Sequence, residues 1–397
     1  MKKTILIDVS LTGGRGPAKK VKSFTEYCDE TNVDYQIITD RKFVAKLEEL
    51  DIKPNFIVDT DMNEPESDIL GKFYEVVKGI DYSIMIKFGA RIAGPMASRK
   101  LNRPYVIIDG GLPDYMTDDE SLYEAKTYQQ AKKYMVTTQF EWNPPQRVDL
   151  DNVEVVCYPL SSKDFELIEK LRGMTKTEIL KSYKPQLAGD LPDTDSEVLI
   201  NLLMTSDYIA LNKERKTYGG WLEARQYDQV VGFIRRLVTD LGEFFDKPAY
   251  LFMDKDVAEV PTDLLTRYKN VKVITFKDWD FETEIAMQAA ADVVVSRATN
   301  YQPYVAALRK GNSVTTPVPA DGYMDEDTAA LQYEEKGLTK LIQYDAEDYV
   351  KNLKNFLTNN NTRDTIRTKL NENMNFIKNR NANKILIDMA TSIRQEV

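Results

Sequence analysis

The sequence predicts an α/β protein of two domains, each built on a parallel sheet with helices around it. Short apolar runs alternate with amphipathic stretches of helical length along the chain, which is the order typical of βαβ units. The chain has 397 residues, more than one hydrophobic core normally holds. Residues 184–195 are rich in Pro, Gly and Asp and poor in apolar side chains, so they are the candidate linker between the two halves.

Composition sets the broad class. Hydrophobic residues make up 42% of the chain and charged residues 29%, as in soluble globular proteins. No stretch approaches the roughly 18 apolar residues that span a bilayer. The apolar run near the start ends at Asp8, so we interpret it as the first strand and not as a signal peptide. The formal net charge of −10 argues against a general nucleic-acid-binding surface.

The side chains available for chemistry are restricted. The chain has no histidine, which excludes a Ser-His-Asp triad, a Cys-His pair and any histidine-ligated metal site. A general base must therefore be Asp, Glu, Lys, Tyr or a thiolate. Cys28 and Cys157 are far apart in sequence, so neither a disulfide framework nor a zinc site is expected. We expect a cytoplasmic protein without a bound metal.

In the first half, helices and strands alternate from the amino terminus. We predict strands at residues 4–9, 34–39, 55–59, 82–86, 104–109 and 153–158, helices at 19–32, 64–80, 89–101 and 164–184, and a helix followed by a strand within 128–138. A glycine-rich turn containing Gly13, Gly14 and Arg15 connects the first strand to the first helix. Glycines at such a turn let the backbone approach a ligand.

The second half repeats this alternation. We predict strands at residues 197–204, 249–253, 271–276 and 293–295 and one beginning at 314, helices at 227–245, 301–309, 329–337 and 345–356, and a final helix reaching residue 397. The resulting domain limits are 1–185 and 196–375, with residues 376–397 as a separate carboxy-terminal helix.

Residues 286–319 carry the clearest functional pattern. A strand of three valines runs into the polar turn Ser296 to Asn300, and a helix follows in which Thr299 or Asn300 can be the N-cap. Lys310 and Gly311 then place a cation and a glycine suited to the left-handed conformation at the helix end. A helix that starts at the carboxyl end of a buried strand attracts anions, so we expect a phosphate-bearing ligand here.

This stretch resembles the donor-binding segment of the GT-B glycosyltransferases, in particular the MurG-like branch related to glycosyltransferase family 28. The matching residues are Ser296-Arg297, Gly311, Pro317, Pro319 and the polar loop 321–327. The resemblance implies two Rossmann-like domains that face a cleft, with a carboxy-terminal helix that crosses back to the first domain. The first domain would bind the acceptor and the second the nucleotide-sugar donor.

The resemblance also implies roles for individual residues. Arg297 and the helix start at Thr299 and Asn300 would stabilise the departing diphosphate without a metal, while Phe276 and Lys277 would hold the nucleotide base. Asp325 and Glu326 would accept hydrogen bonds from sugar hydroxyls, although this acidic loop also fits a solvated turn. The full donor set is Thr205, Ser206, Phe276, Lys277, Ser296, Arg297, Thr299, Asn300, Asp325 and Glu326, and the acceptor side is Gly13, Gly14 and Arg15.

Asp109 is the candidate catalytic residue. It ends a predicted strand just before Gly110 and Gly111, where open α/β sheets place functional groups. Its carboxylate could accept the proton of an acceptor hydroxyl. It could instead cap the following turn, and Asp8 and Asp114 share both interpretations.

The leading hypothesis is an inverting, metal-independent glycosyltransferase that uses a nucleotide-diphosphate sugar, a UDP sugar by preference, as its co-substrate and no other cofactor. The acceptor is open among lipid, peptide, glycan and small metabolite. Thr299-Asn300 stand in place of a glycine-rich turn and Ala320 in place of a histidine, which also fits a catalytically inactive GT-B-like protein that binds a glycan, a nucleotide sugar or a partner transferase. A sugar-nucleotide epimerase is the third hypothesis. Peripheral membrane contact, a protein partner and a homo-oligomer are left open.

Overall fold

Two parallel sheets organise the chain. The computed structural model describes residues 4–10, 16–60, 64–89, 92–109, 122–138, 151–185, 198–203, 224–245, 247–253, 259, 261–275, 281–296, 311–317 and 326–396. Every strand pair within these residues is parallel, and helices connect the strands. Because parallel strands need crossover connections, each sheet is covered by helices on its faces.

The first sheet has seven strands among the described residues, in the order β3-β2-β1-β4-β5-β6-β7. The strands are β1 (Ile5–Asp8), β2 (Tyr35–Asp40), β3 (Phe56–Val58), β4 (Ile84–Phe88), β5 (Tyr105–Asp109), β6 (Lys133–Thr138) and β7 (Val153–Cys157). The helices are α1 (Gly16–Glu30), α2 (Val44–Glu48), α3 (Glu66–Lys78), α4 (Ala93–Lys100), α5 (Leu122–Gln130), α6 (Ser162–Gly173) and α7 (Lys176–Tyr183), with a 3-10 turn at Arg41–Phe43.

The second sheet has six described strands in the order β10-β9-β8-β11-β12-β13. The strands are β8 (Val198–Leu203), β9 (Ala249–Met253), β10 (Val271–Thr275), β11 (Val293–Ser296), β12 (Ser313–Thr315) and β13 (Lys340–Leu341). The helices are α8 (Ala224–Phe244), α9 (Thr262–Leu265), α10 (Phe281–Ala290), α11 (Glu326–Glu335), α12 (Tyr349–Thr358), α13 (Asn360–Asn379) and α14 (Ala382–Glu396).

The apolar runs form strands because both faces of each sheet are buried. In β1, Ile5 and Ile7 belong to one hydrophobic cluster, which includes Phe24 of α1. Leu6 between them belongs to the other cluster, with Met96 of α4. Successive strand side chains point to opposite faces, so a strand covered on both faces reads as a continuous apolar run.

The carboxy-terminal helix crosses back to the first sheet, as the resemblance implied. Ala382, Leu386 and Ala390 of α14 are buried in the same cluster as α1 and one face of the first sheet. At the crossing, the Cys157 amide donates to the Arg380 carbonyl at 2.7 Å. These contacts end α13 and start α14, so the single final helix expected from the sequence is two helices. The domain limits drawn from the sequence stay a prediction.

One further expected helix is also divided in two. Residues 164–184 were predicted as a single helix, and the structure has α6 and α7 there. Thr175 lies between them, and its hydroxyl accepts from the Glu178 amide while the Glu178 carboxylate accepts from the Thr175 amide. This capping box supplies partners for the unpaired amides of a new helix start, so a second helix begins inside the predicted one.

Candidate functional site at the carboxyl ends of the two sheets

The strand order reverses at one position in each sheet. In the first sheet β1 lies between β2 and β4, and in the second β8 lies between β9 and β11. Connections leave in opposite directions at these positions, which opens a crevice at the carboxyl ends of the two central strands. The residues at these ends are therefore the first candidates for ligand contact.

A buried ion pair lies at the reversal point of the first sheet. Asp8 at the end of β1 and Lys87 near the end of β4 are paired in the strand register. Neither side chain is exposed, and the Lys87 Nζ lies 3.5 Å from the Asp8 Oδ1. The Lys87 Nζ also donates to the Ser10 carbonyl at 2.5 Å. The Ser10 amide and hydroxyl donate to the Asp8 Oδ1 at 2.9 and 2.5 Å. Both charged side chains therefore hydrogen-bond to Ser10, the last described residue before the predicted glycine-rich turn.

The second oxygen of Asp8 has a different environment. Asp8 Oδ2 is buried and has no hydrogen-bond partner among the described residues. It lies against Gly94 in the first turn of α4, where an added Cβ would be only 2.1 Å away. A helix amino terminus stabilises a nearby carboxylate electrostatically. Gly94 is thus required for Asp8 to occupy this position.

Burial and the paired charge act in opposite directions on this pair. Burial raises the pKa of Asp8, while Lys87 and the hydrogen bonds from Ser10 act to lower it. Burial lowers the pKa of Lys87, while the carboxylates of Asp8, Asp40 and Asp109 act to raise it. Each charge therefore depends on its neighbours to remain ionised away from water.

Asp109, the candidate base, lies two strands from β1 and is half-buried at the end of β5. Its carbonyl accepts a hydrogen bond from the Thr137 hydroxyl at 2.8 Å. The Thr137 hydroxyl oxygen accepts in turn from the Lys20 Nζ at 2.9 Å. Burial lowers the pKa of Lys20 to about 8, and the Asp109 carboxylate acts to raise it. A buried lysine and a carboxylate therefore meet at this edge.

Ion pairs connect α1 and α7 to the second half of the chain. The Lys19 Nζ lies 2.8 Å from Glu284 Oε2 of α10, and both side chains are buried. The Lys176 Nζ of α7 lies 2.6 Å from the Asp292 Oδ2, which also accepts from the Leu199 amide at 2.9 Å. Charged contacts therefore join two helices of the first half of the chain to residues of the second half.

At its reversal point, the carboxyl edge of the second sheet is uncharged in the described residues. Ser296, the last residue of β11, pairs with Leu203, the last residue of β8. The Ser296 carbonyl accepts from the Thr316 amide at 2.8 Å. The Ser296 hydroxyl is buried and has no partner among the described residues. The segments that begin at residues 204 and 297 therefore start from adjacent strand ends at the reversal point.

Only part of the sequence-predicted site lies within the described residues. Asp109 and Ser296 belong to the described residues together with their side chains. For Glu326, the first residue of α11, the structure describes the backbone only. The structure places Asp109 and Ser296 on the carboxyl edges of different sheets. The remaining predicted residues lie outside the described residues: Gly13, Gly14, Arg15, Thr205, Ser206, Phe276, Lys277, Arg297, Thr299, Asn300 and Asp325.

Sequence reasoning missed the two lysines of the first sheet's edge. Lys87 interrupts the otherwise apolar strand Ile84–Phe88, and a charge there is a usable signal for a functional or paired site. Lys20 gives no such signal, because it is one of several lysines on the amphipathic α1. Its position becomes apparent only when β6 is placed beside β5.

The described residues contain neither a cluster suited to a metal ion nor a helix suited to a bilayer. No group of three or more His, Cys, Asp or Glu side chains is arranged to hold a metal ion in the part of the chain that is described. Within the same residues, no helix has the length and apolar character needed to cross a bilayer.

The fold matches solved structures of very different sequence. MurG from Acinetobacter baumannii matches with a TM-score of 0.59 and 13% identity, over 98% of this chain and 99% of that one. Anabaena HepE in complex with UDP matches with a TM-score of 0.62 and 15% identity, over 98% and 100%. A putative UDP-N-acetylglucosamine 2-epimerase from Listeria monocytogenes matches with a TM-score of 0.63 and 15% identity, over 99% and 97%.

Comparisons of sequence return no relative: no family model matches the chain and no curated protein does. The structural matches extend over nearly the whole of each chain, so they include both sheets and the crossing helix. The chain therefore has the GT-B fold of two Rossmann-like domains, which confirms the fold expected from the resemblance. At these identities the matches establish the fold alone.

Proposed function

We propose that this protein is a glycosyltransferase that moves a sugar from a nucleotide-diphosphate sugar, preferably a UDP sugar, to an acceptor hydroxyl. The observation that carries the proposal is the reversal point of the second sheet, where Ser296 and Leu203 end paired strands within a full-length GT-B fold. Proteins of this fold have been crystallised with UDP, HepE among them. The buried Ser296 hydroxyl, which has no partner among the described residues, is available to such a ligand.

On the donor side, Arg297 and the helix predicted to start at Thr299 or Asn300 would face the diphosphate. A guanidinium and unpaired helix amides stabilise the negative charge that develops on a leaving diphosphate, so the proposed reaction needs no metal. Thr205 and Ser206 would assist from the neighbouring strand end. Phe276 and Lys277 would hold the base, and Asp325 and Glu326 the sugar hydroxyls.

On the acceptor side, Asp109 would accept the proton. The acceptor oxygen forms a bond to the anomeric carbon while the bond from that carbon to the diphosphate oxygen breaks, and UDP departs. The proton of the acceptor hydroxyl passes to the Asp109 carboxylate. Attack from the face opposite the leaving group inverts the anomeric centre. Gly13, Gly14 and Arg15 would contact the acceptor, whose identity stays open.

The proposed location is the cytoplasm. Cys28 and Cys157 are both buried, and neither forms a disulfide within the described residues. Cysteines in a reducing compartment usually stay out of disulfides.

A second candidate is a sugar-nucleotide epimerase. It is favoured by the match to the Listeria 2-epimerase, which is as extensive as the match to MurG. The two functions differ in products. A transferase releases UDP only when an acceptor is present or when water replaces it, whereas an epimerase returns a UDP sugar with one stereocentre inverted.

The test is to incubate the purified protein with a panel of UDP sugars and acceptors, with and without EDTA, and to measure both released UDP and the nucleotide-sugar product. We expect UDP release that survives EDTA. Arg297→Ala should lower kcat/KM by about tenfold or more, since a charge-assisted hydrogen bond contributes roughly 1.5–3 kcal/mol. Arg41→Ala, in a pair exposed at the surface, is the matched control and should leave the rate unchanged.

Two other outcomes would contradict the proposal, and a third would remove one residue from it. An epimerised UDP sugar without net UDP release would establish the second candidate. UDP binding without turnover across the acceptor panel would establish an inactive binding protein. An unchanged rate in Arg297→Ala would remove that residue from the site.

A further inference from the structure

Two consecutive lysines on α1 have partners in different halves of the molecule. Lys19 pairs with Glu284 of α10, beside the second sheet. Lys20 donates to the Thr137 hydroxyl at the carboxyl edge of the first sheet. The helix that follows the predicted acceptor turn is thus connected to both halves of the molecule.

The contact of Lys20 continues to the candidate base. The Thr137 hydroxyl donates to the Asp109 carbonyl at 2.8 Å, so Lys20, Thr137 and the end of β5 form a chain of hydrogen bonds. An ammonium group has three N–H donors, and the described residues account for one. Lys20 also lies over the Tyr158 ring, 5.2 Å from its centroid. These contacts fix the ammonium group at one place beside Asp109.

We propose that Lys20 is a positioning residue for Asp109: through Thr137 it holds the backbone carbonyl of Asp109 at the end of β5, and its positive charge attracts the carboxylate carried there. This inference rests on the proposed transferase function, in which Asp109 accepts the acceptor's proton. A buried lysine needs a nearby carboxylate to hold its charge, and a carboxylate beside a cation remains a competent proton acceptor in its ionised form.

The charges around Lys20 come from several elements. Asp109 of β5 acts on it directly. Asp109 also acts on Lys87 of β4, and Asp164 of α6 and Glu284 of α10 both act on Tyr158. Burial raises the pKa of Tyr158 well above its usual range, so this phenol stays neutral at the edge.

The proposal sets the sign of a pH effect. Burial lowers the pKa of Lys20 to about 8, so its positive charge is present below that pH and is lost as the pH rises through it. If the ammonium positions Asp109, turnover falls on the alkaline side with a midpoint near this value. If neutral Lys20 were itself the general base, turnover would rise through the same range.

The experiment measures pH–rate profiles for the wild type, Lys20→Met, Lys20→Arg and the control Lys22→Met. Lys22 lies on the same helix and donates to the Leu50 carbonyl, away from the sheet edge. We expect Lys20→Met to lower kcat by tenfold to a hundredfold, on the order seen when a reacting group is misplaced, with little change in KM for the UDP sugar. Lys20→Arg should retain activity and lose the alkaline decline, because a guanidinium stays protonated.

An unchanged kcat in Lys20→Met would overturn the proposal. So would activity that rises through pH 8 in the wild type and is absent in Lys20→Arg, which would make Lys20 the base.

A measurement that needs no turnover separates this proposal from the transferase function. The side-chain ¹³C shifts of lysine-labelled protein are titrated, and the Lys20 signal is assigned by its loss in Lys20→Arg. In Asp109→Asn the pKa of Lys20 should fall further, because the carboxylate that acts to raise it is gone. An unchanged Lys20 pKa would overturn the coupling even in an active enzyme. A lowered value in a protein that turns over no UDP sugar would retain the coupling and refute the transferase.

Discussion

The carboxyl edges of the two sheets differ in charge. In the first sheet β1, β2 and β5 each end in an aspartate, and Lys87 lies one residue from the end of β4. In the second sheet no described strand ends in a charged residue, and Lys340 of the edge strand β13 is the charge that lies one residue from a carboxyl end. Ser296 and Thr315 end β11 and β12, which follow β8 in the strand order. An acidic edge repels a diphosphate, whereas a neutral edge with a free hydroxyl accepts one. The contrast favours an acceptor site on the first sheet and a donor site on the second.

Not every charge on the first edge is free for chemistry. Asp40 caps the 3-10 turn by accepting from the Lys42 and Phe43 amides, so its carboxylate is committed to local structure. Asp8 is committed to Lys87 and Ser10. Asp109 is the half-buried member of the three. The first edge therefore consists of a fixed part, which holds the backbone, and Asp109, to which we assign the proton transfer.

The largest expected effect comes from removing one partner of the buried Asp8–Lys87 pair in the first sheet. Lys87→Met leaves the Asp8 carboxylate buried without its cation, and removing one partner of a buried pair typically costs about 3–5 kcal/mol. The double variant Asp8→Asn/Lys87→Met should lose less than the sum of the single variants. Urea unfolding at neutral pH measures all three.

The matched control is the exposed pair Arg41–Asp59 of the same sheet, whose side chains are 64% and 79% exposed. Arg41→Met should change the free energy of unfolding by at most about 1 kcal/mol, because solvent screens such pairs. A loss in Lys87→Met as small as that of Arg41→Met would contradict the view that the first edge is held by charge.

The second sheet should be sensitive to shape instead of charge. Gly311, just before β12, has a φ of +65°, and an added Cβ would lie 1.8 Å from the Arg363 carbonyl oxygen of α13. Gly311→Ala combines left-handed strain with this contact, so we expect a loss of about 2 kcal/mol or more. Chemical unfolding of the variant measures it.

Gly232 in α8 is the control for the same substitution. It has no heavy atom within 4 Å of an added Cβ, so Gly232→Ala should be neutral or stabilise by up to about 1 kcal/mol. Equal effects of the two substitutions would show that the entry to β12 is more adaptable than its geometry indicates.

Much of the fold could be predicted because local pattern determined it. The three valines of β11 predicted a buried strand, and the structure extends it by one residue, to Ser296. Gly311 was predicted to tolerate the left-handed conformation at a helix end, and it adopts that conformation. Thr175 and Glu178 form a capping box, whose Thr-x-x-Glu spacing is a sequence signal for a helix start. The apolar pattern continues through this position, so the pattern alone predicts one helix.

The charged edge could not be predicted in the same way. Asp8 and Lys87 are 79 residues apart, and Lys20 and Thr137 are 117 apart. Their meeting depends on strand order, because β1 pairs with β4 and β5 pairs with β6. Sequence periodicity gives the faces of each strand but not its neighbours. The single carboxylate Asp109 was therefore predicted, and the lysine beside it was not.

The smallest expected effect on stability is at Ser296, at the uncharged reversal point of the second sheet. Ser296→Ala removes a buried hydroxyl that has no partner among the described residues, so the free energy of unfolding should change by less than about 1 kcal/mol. If that hydroxyl serves a diphosphate, UDP affinity should fall by roughly twofold to tenfold, the range of one neutral hydrogen bond. Thermal unfolding and calorimetric UDP titration on the same samples separate the two effects.

Thr315→Val is the control, because the Thr315 hydroxyl already bonds to Thr339 at 2.9 Å. This substitution should lower the free energy of unfolding and leave UDP affinity unchanged. A Ser296→Ala variant that loses stability and keeps its UDP affinity would mean that Ser296 belongs to the core and that the donor site lies elsewhere.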